Sequence, residues 1–394
     1  MQISHSTKPQ LLNKISKLRR VLVSLLASAT LVAILAFALT SSREISFSRE
    51  VASLFGLPKT TMMSEAIRNG IALLKASPPL EYQSGKRQTA LAIFNKKTGE
   101  ISEERIWISP DGTLIASDLP ISIQWWNSFN SVYEIKGHPE LVVVANKFLI
   151  ERDYLPEQRT LQLDSNAPQS KYTDMVYAPY SEYLHWPDVI KAGKTYIDEH
   201  ADEALKDLKD KKVLSRAHPD KLVVDVVPED LVKTIVLVEH VDPGWIKFAD
   251  DGGKTLVERA LVIIGANREW AYRYTNSSAD AYGLAQFIES TYDLMVERYP
   301  EAGLIKDHTL GMADHTNAFK AITLLFDNEA EDIEKSSGVP ATREMLAAAY
   351  NGGTNRVIQA VKKYGQAWVE HGRFPDETRD YVKKYESIKK LNIF

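Results

Sequence analysis

The sequence predicts an α+β protein with an N-terminal transmembrane helix, a small antiparallel β-rich module and an all-α C-terminal domain. Three observations predict this class: an uncharged apolar run over residues 21–40, a strand-like period over residues 89–165, and helical spacing of apolar residues over 228–394. With 394 residues, 44% of them hydrophobic, the chain is long enough to bury more than one core.

The first segment, residues 21–40, contains 20 consecutive uncharged residues. At 1.5 Å per residue such a helix spans the roughly 30 Å hydrocarbon core of a bilayer. Five lysines and arginines and no acidic residue precede it, which predicts a cytoplasmic tail over residues 1–20 and an extracytoplasmic location after Ser41. Ala36-Phe37-Ala38 resembles a signal-peptide cleavage site, so a cleaved leader stays an alternative. The length of the run favours an uncleaved anchor.

The middle of the chain changes its period twice. Residues 41–88 are interpreted as a connector containing an amphipathic helix over Met63 to Ala76. Residues 89–165 contain short β-rich runs separated by turn residues, as at Pro110-Asp111-Gly112, which predicts antiparallel strands. Residues 166–227 read as a linker followed by a charged, solvated helix.

From Pro228 onward nearly every segment has helical spacing. Pro228-Glu229-Asp230 opens the first helix, with acidic residues beside the positive end of the helix dipole. This helix runs to Glu239 and His240, and a second apolar helix follows after Gly252-Gly253. Residues 228–394 are therefore predicted to form one all-α domain.

Composition and charge exclude several classes of partner. A formal net charge of -4 gives no polyanion-binding surface, so no nucleic acid is expected. The absence of cysteine excludes disulfides and thiolate metal sites, and the nine histidines show no metal-binding spacing. We therefore predict no metal and no cofactor.

Three short motifs follow one another in the C-terminal region. Arg268-Glu269 ends an apolar helix, and a small-residue turn from Ser277 to Gln286 follows, with Gly283 fourteen positions after Glu269. The second motif is Ala349-Tyr350-Asn351-Gly352-Gly353, and the third is Glu377-Thr378-Arg379-Asp380-Tyr381-Val382. A carboxyl at the end of an apolar helix, close to aromatic residues, is the environment that raises the pKa of a general acid.

In these motifs, residues 228–394 resemble the lytic transglycosylase domain of the soluble-lytic-transglycosylase type, within the lysozyme-like superfamily. The resemblance implies a lysozyme-like fold that cleaves the β-1,4 bond between N-acetylmuramic acid and N-acetylglucosamine in peptidoglycan glycan strands. It implies one glutamate that acts first as acid and then as base, 1,6-anhydromuramoyl products, and no cofactor. The chain departs from the family pattern at three positions: it has Trp270 where the family has serine, Asp280 where the family has glycine, and Ala285 where the family has methionine.

The resemblance also implies the roles of individual residues. The predicted acid is Glu269, with Glu239 as the alternative, because Glu269 fits the spacing to the turn whereas Glu239 lies 44 positions before Gly283. The residues implied in substrate binding are Ser277, Ser278, Gly283, Gln286, Tyr350, Asn351, Glu377 and Tyr381.

Two other functions stay open from the sequence. One is hydrolysis of the same bond by a lysozyme-type muramidase, in which an acid such as Asp242 or Asp280 positions water. The other is a non-catalytic peptidoglycan-binding assembly factor. In each case the expected location is a single-pass cell-membrane protein that contacts the membrane through residues 21–40, and the sequence identifies no protein partner.

Overall fold

The computed structural model describes residues 62–155 and 171–394. The predicted cytoplasmic tail and membrane anchor, residues 1–40, lie outside the described residues, as do the first part of the connector and the β-rich run at 159–163. Within the described ranges, no helix combines the length and apolarity needed to cross a bilayer. Residues Met62–Phe394 belong to one compact unit.

An antiparallel sheet forms the first half of this unit. Its strands lie in the order β4-β3-β2-β7-β8, and β1 also pairs with β2; β5 and β6 form a separate two-stranded ribbon. The strands are Tyr82–Gln83 (β1), Lys86–Asn95 (β2), Ile101–Ile108 (β3), Leu114–Ala116 (β4), Ile121–Trp125 (β5), Val132–Ile135 (β6), Leu141–Glu151 (β7) and Tyr172–Tyr177 (β8).

The central strands β2 and β7 are covered on both faces, which explains why they read as continuous apolar runs rather than as alternating ones. Helix α1, Met63–Ala76, packs one face of the sheet through Met63, Ile67 and Leu74. The β5–β6 ribbon covers the other face. The sequence-predicted helix is thus confirmed with its bounds.

The remaining described residues are predominantly helical. The helices are Pro187–Asp210 (α2), Glu229–Glu239 (α3), Pro243–Ile246 (α4), Lys254–Asn267 (α5), Glu289–Arg298 (α6), His308–Ala313 (α7), His315–Ser337 (α8), Arg343–Gly352 (α9), Thr354–Tyr364 (α10), Trp368–His371 (α11) and Asp376–Lys390 (α12). The mixed α+β class is confirmed.

The sheet and the helices share one continuous core. Phe148 of β7 and Tyr177 of β8 belong to the same buried cluster as the helices from α2 to α12. Strand β8 starts beyond residue 165, so the sheet extends past the predicted end of the β-rich module. Helix α5 packs against α2 so closely that a Cβ at Gly193 would lie 1.9 Å from the carbonyl oxygen of Leu261. Only glycine permits this approach of the two backbones.

Candidate active site

A cleft of about 380 Å³ opens where three helix segments meet. The end of α3 and the loop after it form one wall, the end of α9 contributes a second element, and α12 forms the opposite wall. The cleft is lined by Glu239, His240, Val241, Asp242, Asn351, Glu377, Tyr381 and Lys384.

Glu239 reaches the cleft because a buried helix ends there. The eight residues from Leu231 to Val238 are all buried, so α3 is fixed in the core on every side. Helix α3 ends at Glu239, and Asp242 then caps α4 by accepting hydrogen bonds from the backbone N–H groups of Gly244 and Trp245. The acid therefore stands on a rigid element, at the last helical position before the chain turns.

The surroundings of Glu239 favour its neutral form. Burial raises the pKa of Glu239 to about 7, and the nearby Glu377 carboxylate acts in the same direction. Tyr381 donates a hydrogen bond to Oε1, and the Lys384 ammonium lies close by; both lower the pKa without cancelling the effect of burial. A carboxyl with a pKa near 7 can donate a proton and accept one back at neutral pH.

Two tyrosines beside this acid keep their own hydroxyl protons. Burial, together with the charge of Glu239, raises the pKa of Tyr350 and Tyr381 well above the usual 10. Both phenols consequently stay hydrogen-bond donors. Tyr381 uses its hydroxyl for Glu239, whereas Tyr350 donates to the carbonyl oxygen of Ala285.

His240 connects the acid to the turn that the sequence motif identified. Its ring stacks on Tyr272, with 3.6 Å between the ring centroids and 9° between the planes. Its Nε2–H donates to the carbonyl oxygen of Leu284 at 2.9 Å, and burial lowers the pKa of His240 to about 4, so the ring is neutral. The Gly283–Gln286 turn is thus fastened to the end of α3 by His240 and to α9 by Tyr350.

The turn residues themselves serve mainly to shape this loop. Gly283 has φ +71, and a Cβ there would lie 2.3 Å from the carbonyl oxygen of Met312, so a side chain is excluded. The Gln286 side chain donates to the Gly283 carbonyl oxygen at 2.7 Å. Ser277 Oγ accepts from two backbone N–H groups of its own loop, and Ser278 is exposed. None of these four residues lines the cleft.

The second and third motifs meet across a helix contact. A Cβ at Gly352 would lie 2.6 Å from the Thr378 side chain, so the glycine lets α9 and α12 approach closely. This contact brings Asn351 of α9 and both Glu377 and Tyr381 of α12 to the same cleft. Tyr350 contacts the turn beside it.

Glu269 lies elsewhere, and the preference for it over Glu239 is reversed. It stands in a short 3-10 turn at Arg268–Trp270 after α5, where its side chain is exposed, and it does not line the cleft. Spacing along the chain does not reflect distance to the cleft here, because α5 packs on α2 before the chain returns. Glu239 is the carboxyl that the fold places beside Asn351, Glu377 and Tyr381.

The sequence interpretation assigned no role to three cleft residues, His240, Val241 and Lys384. Lys384 is 4% exposed and donates to the carbonyl oxygen of Val241 at 2.8 Å. It lies three positions after Tyr381, hence on the same side of α12, and this spacing was the available signal.

Comparisons with protein-family models, curated proteins and solved structures gave no significant match. The case for a function therefore rests on the cleft and on the motifs that surround it.

Proposed function

We propose that this chain is a membrane-anchored peptidoglycan lytic transglycosylase in which Glu239 is the acid and base. The observation that carries the proposal is Glu239 itself: one carboxyl with a pKa of about 7, in a cleft where motifs separated by more than 100 residues in sequence meet. Peptidoglycan glycan strands are the proposed substrate. The uncharged run at residues 21–40 is the proposed anchor, with the catalytic part outside the cytoplasm.

The reaction requires one carboxyl and no water. Protonated Glu239 gives its proton to the glycosidic oxygen as the bond from that oxygen to the muramoyl C1 breaks. The muramoyl C6 hydroxyl then attacks C1, and its proton returns to the Glu239 carboxylate. The product is a 1,6-anhydromuramoyl end, and the enzyme is restored to its starting protonation state.

The surrounding residues suit this cycle. The Tyr381 hydroxyl stabilises the carboxylate stage through its hydrogen bond, and the Lys384 ammonium stabilises it by charge. Asn351 and Glu377 offer polar groups to sugar hydroxyls and the N-acetyl group across the cleft. His240 is neutral and holds the turn, which makes it a positioning residue.

The test is digestion of purified peptidoglycan by Glu239→Gln and, as the matched control, Glu269→Gln. We expect loss of cleavage in the first variant and wild-type rates in the second. Mass spectrometry of the products identifies anhydro ends, which are one water lighter than reducing ends. Undiminished cleavage by Glu239→Gln would rule out the acid assigned here.

A second candidate is hydrolysis of the same bond, favoured by the position of Asp242 in the cleft beside Glu239. An acid at that position can orient a water molecule, as inverting enzymes require. Asp280, the other acid considered, is exposed and does not line the cleft. Reducing ends in the product spectrum, lost in Asp242→Asn, would identify this reaction instead.

A further inference from the structure

Two large aromatic side chains project into solvent just outside the cleft. Trp245 is 69% exposed and Phe248 is 82% exposed, the two highest values among the large apolar side chains of the described residues. Exposed aromatic residues lose the hydrophobic stabilisation that burial would give, so two of them three positions apart beside a cleft are a candidate binding surface.

The segment that carries Trp245 and Phe248 starts at the rim of the cleft. The backbone N–H of Trp245 donates to Oδ1 of Asp242 at 3.3 Å, and Asp242 lines the cleft. Helix α4 therefore starts from the cleft wall, and its first turn carries the indole outward. Phe248 lies in the turn after α4, where its backbone N–H donates to the carbonyl oxygen of Trp245 at 3.0 Å.

The segment that carries them is held in place on both sides. Ile246 is partly buried against the main core, and Lys247 forms an ion pair with Asp380 of α12. Helix α12 is also the helix that supplies Glu377 and Tyr381 to the cleft. The two consecutive residues Ile246 and Lys247 thus fasten the segment, and Trp245 and Phe248 on either side of them stay exposed.

The volume of the cleft indicates which kind of ligand would contact Trp245 and Phe248. A cavity of about 380 Å³ is near the lower end for small-molecule sites, roughly 300 to 1,000 Å³. A polymer longer than the cleft must extend beyond its rim, and the rim at Asp242 is continuous with α4. Pyranose rings present apolar C–H faces that stack on aromatic rings, whereas the cleft itself offers mainly polar groups.

We propose that Trp245 and Phe248 form a sugar-binding subsite outside the cleft, which stacks on a polysaccharide strand whose scissile bond lies at Glu239. The ligand class is a β-linked polysaccharide of at least several pyranose units, and the inference rests on the proposed function. The subsite contributes to binding long strands and does not contact the reacting atoms.

The test compares long glycan strands with a tetrasaccharide, using the full chain in detergent. For the Trp245→Ala/Phe248→Ala double variant we expect kcat/KM on long strands to fall by at least about tenfold, an aromatic contact being worth on the order of a threefold to tenfold change in binding. On the tetrasaccharide it should stay within about twofold. Trp125→Ala is the matched control, because Trp125 is 60% exposed on β5 and does not line the cleft. An equal fall on both substrates, or none on long strands, would overturn the subsite.

A lipid surface is the competing ligand for Trp245 and Phe248. Quenching of tryptophan fluorescence by brominated lipids distinguishes it from a sugar. In vesicles of phosphatidylethanolamine and phosphatidylglycerol with brominated acyl chains, Trp245→Phe should leave the quenched fraction of tryptophan fluorescence unchanged. Loss of quenching in that variant would place the indole in the membrane and refute the sugar subsite.

Failure of the proposed function looks different from failure of the subsite. If the wild type leaves strands uncut, the proposed reaction fails, and sedimentation of Glu239→Gln with intact peptidoglycan, with and without the two alanine substitutions, still tests the subsite. If the wild type cleaves and strand length makes no difference to the double variant, only the subsite fails.

Discussion

Replacing Glu239 by glutamine should make folding more stable, and increasingly so as pH rises. The wild-type carboxyl has a pKa near 7 in the folded state, against 4.5 when exposed in the unfolded chain. Between these values the folded protein binds more protons than the unfolded chain, so unfolding free energy decreases as pH increases. Stability linked to this group is fully present below about pH 4.5 and lost as pH rises through 7.

The interval between the two pKa values, at about 1.36 kcal/mol per pH unit, corresponds to about 3 kcal/mol. Solvent at the mouth of the cleft reaches the partly buried side chain and reduces this, so we expect about 1 to 3 kcal/mol. Glutamine keeps an oxygen that accepts the hydrogen bond of Tyr381 and carries no charge at any pH.

Urea denaturation of wild type and Glu239→Gln at several pH values from 5 to 8 measures this difference directly. The gap between the two unfolding free energies should widen steadily across the series. Glu269→Gln, the same substitution at an exposed carboxyl, should follow the wild type throughout. Parallel curves for wild type and Glu239→Gln would show that the cleft does not favour the neutral carboxyl, and the acid assignment would lose its physical basis.

Three further predictions concern two supports of the site and the buried histidine at the start of α8, His315. Tyr381→Phe removes a hydrogen bond that lowers the pKa of Glu239, so the alkaline limb of the pH–rate profile should move to higher pH. Gly352→Ala meets the Thr378 side chain and should cost about 1 to 3 kcal/mol in urea denaturation, partly recovered by adding Thr378→Ala. Burial lowers the pKa of His315 to about 3, so stability linked to its neutral ring is present above pH 6.5 and lost as pH falls; His315→Gln should flatten that loss by several kcal/mol in thermal unfolding at acidic pH.

The spacing of apolar residues predicted the elements that depend mainly on their own sequence. Helix α1 followed from the spacing of Met63, Ile67 and Leu74 on one face, and its bounds were confirmed. Strand β8 escaped prediction because only Met175 and Tyr177 of YTDMVY are buried and the strand lies in a tyrosine-rich stretch that resembles a linker. Its pairing with β7 is decided by the sheet, since propensity for strands depends on the neighbours that a strand finds.

The sequence motifs predicted several residues that line the cleft, but they did not decide which glutamate lies in it. Asn351, Glu377 and Tyr381 were identified from sequence motifs, and the structure brings them to one cleft. The choice between Glu239 and Glu269 depended on chain spacing, which has no fixed relation to distance once a helix leaves the site and returns. Burial, which decides the pKa of a carboxyl, is a tertiary property that spacing does not report.

The bond from His240 to Leu284 has a consequence for how this protein can vary. The hydrogen bond from His240 to Leu284 fixes the end of α3 relative to the Gly283–Gln286 turn. The 43 residues between Glu239 and Gly283 therefore form a segment whose two ends are held together. We therefore expect changes of length at exposed points of this segment to leave Glu239 in place. The segment carries Trp245 and Phe248, so the proposed sugar-binding subsite can change while the proposed catalytic carboxyl keeps its position.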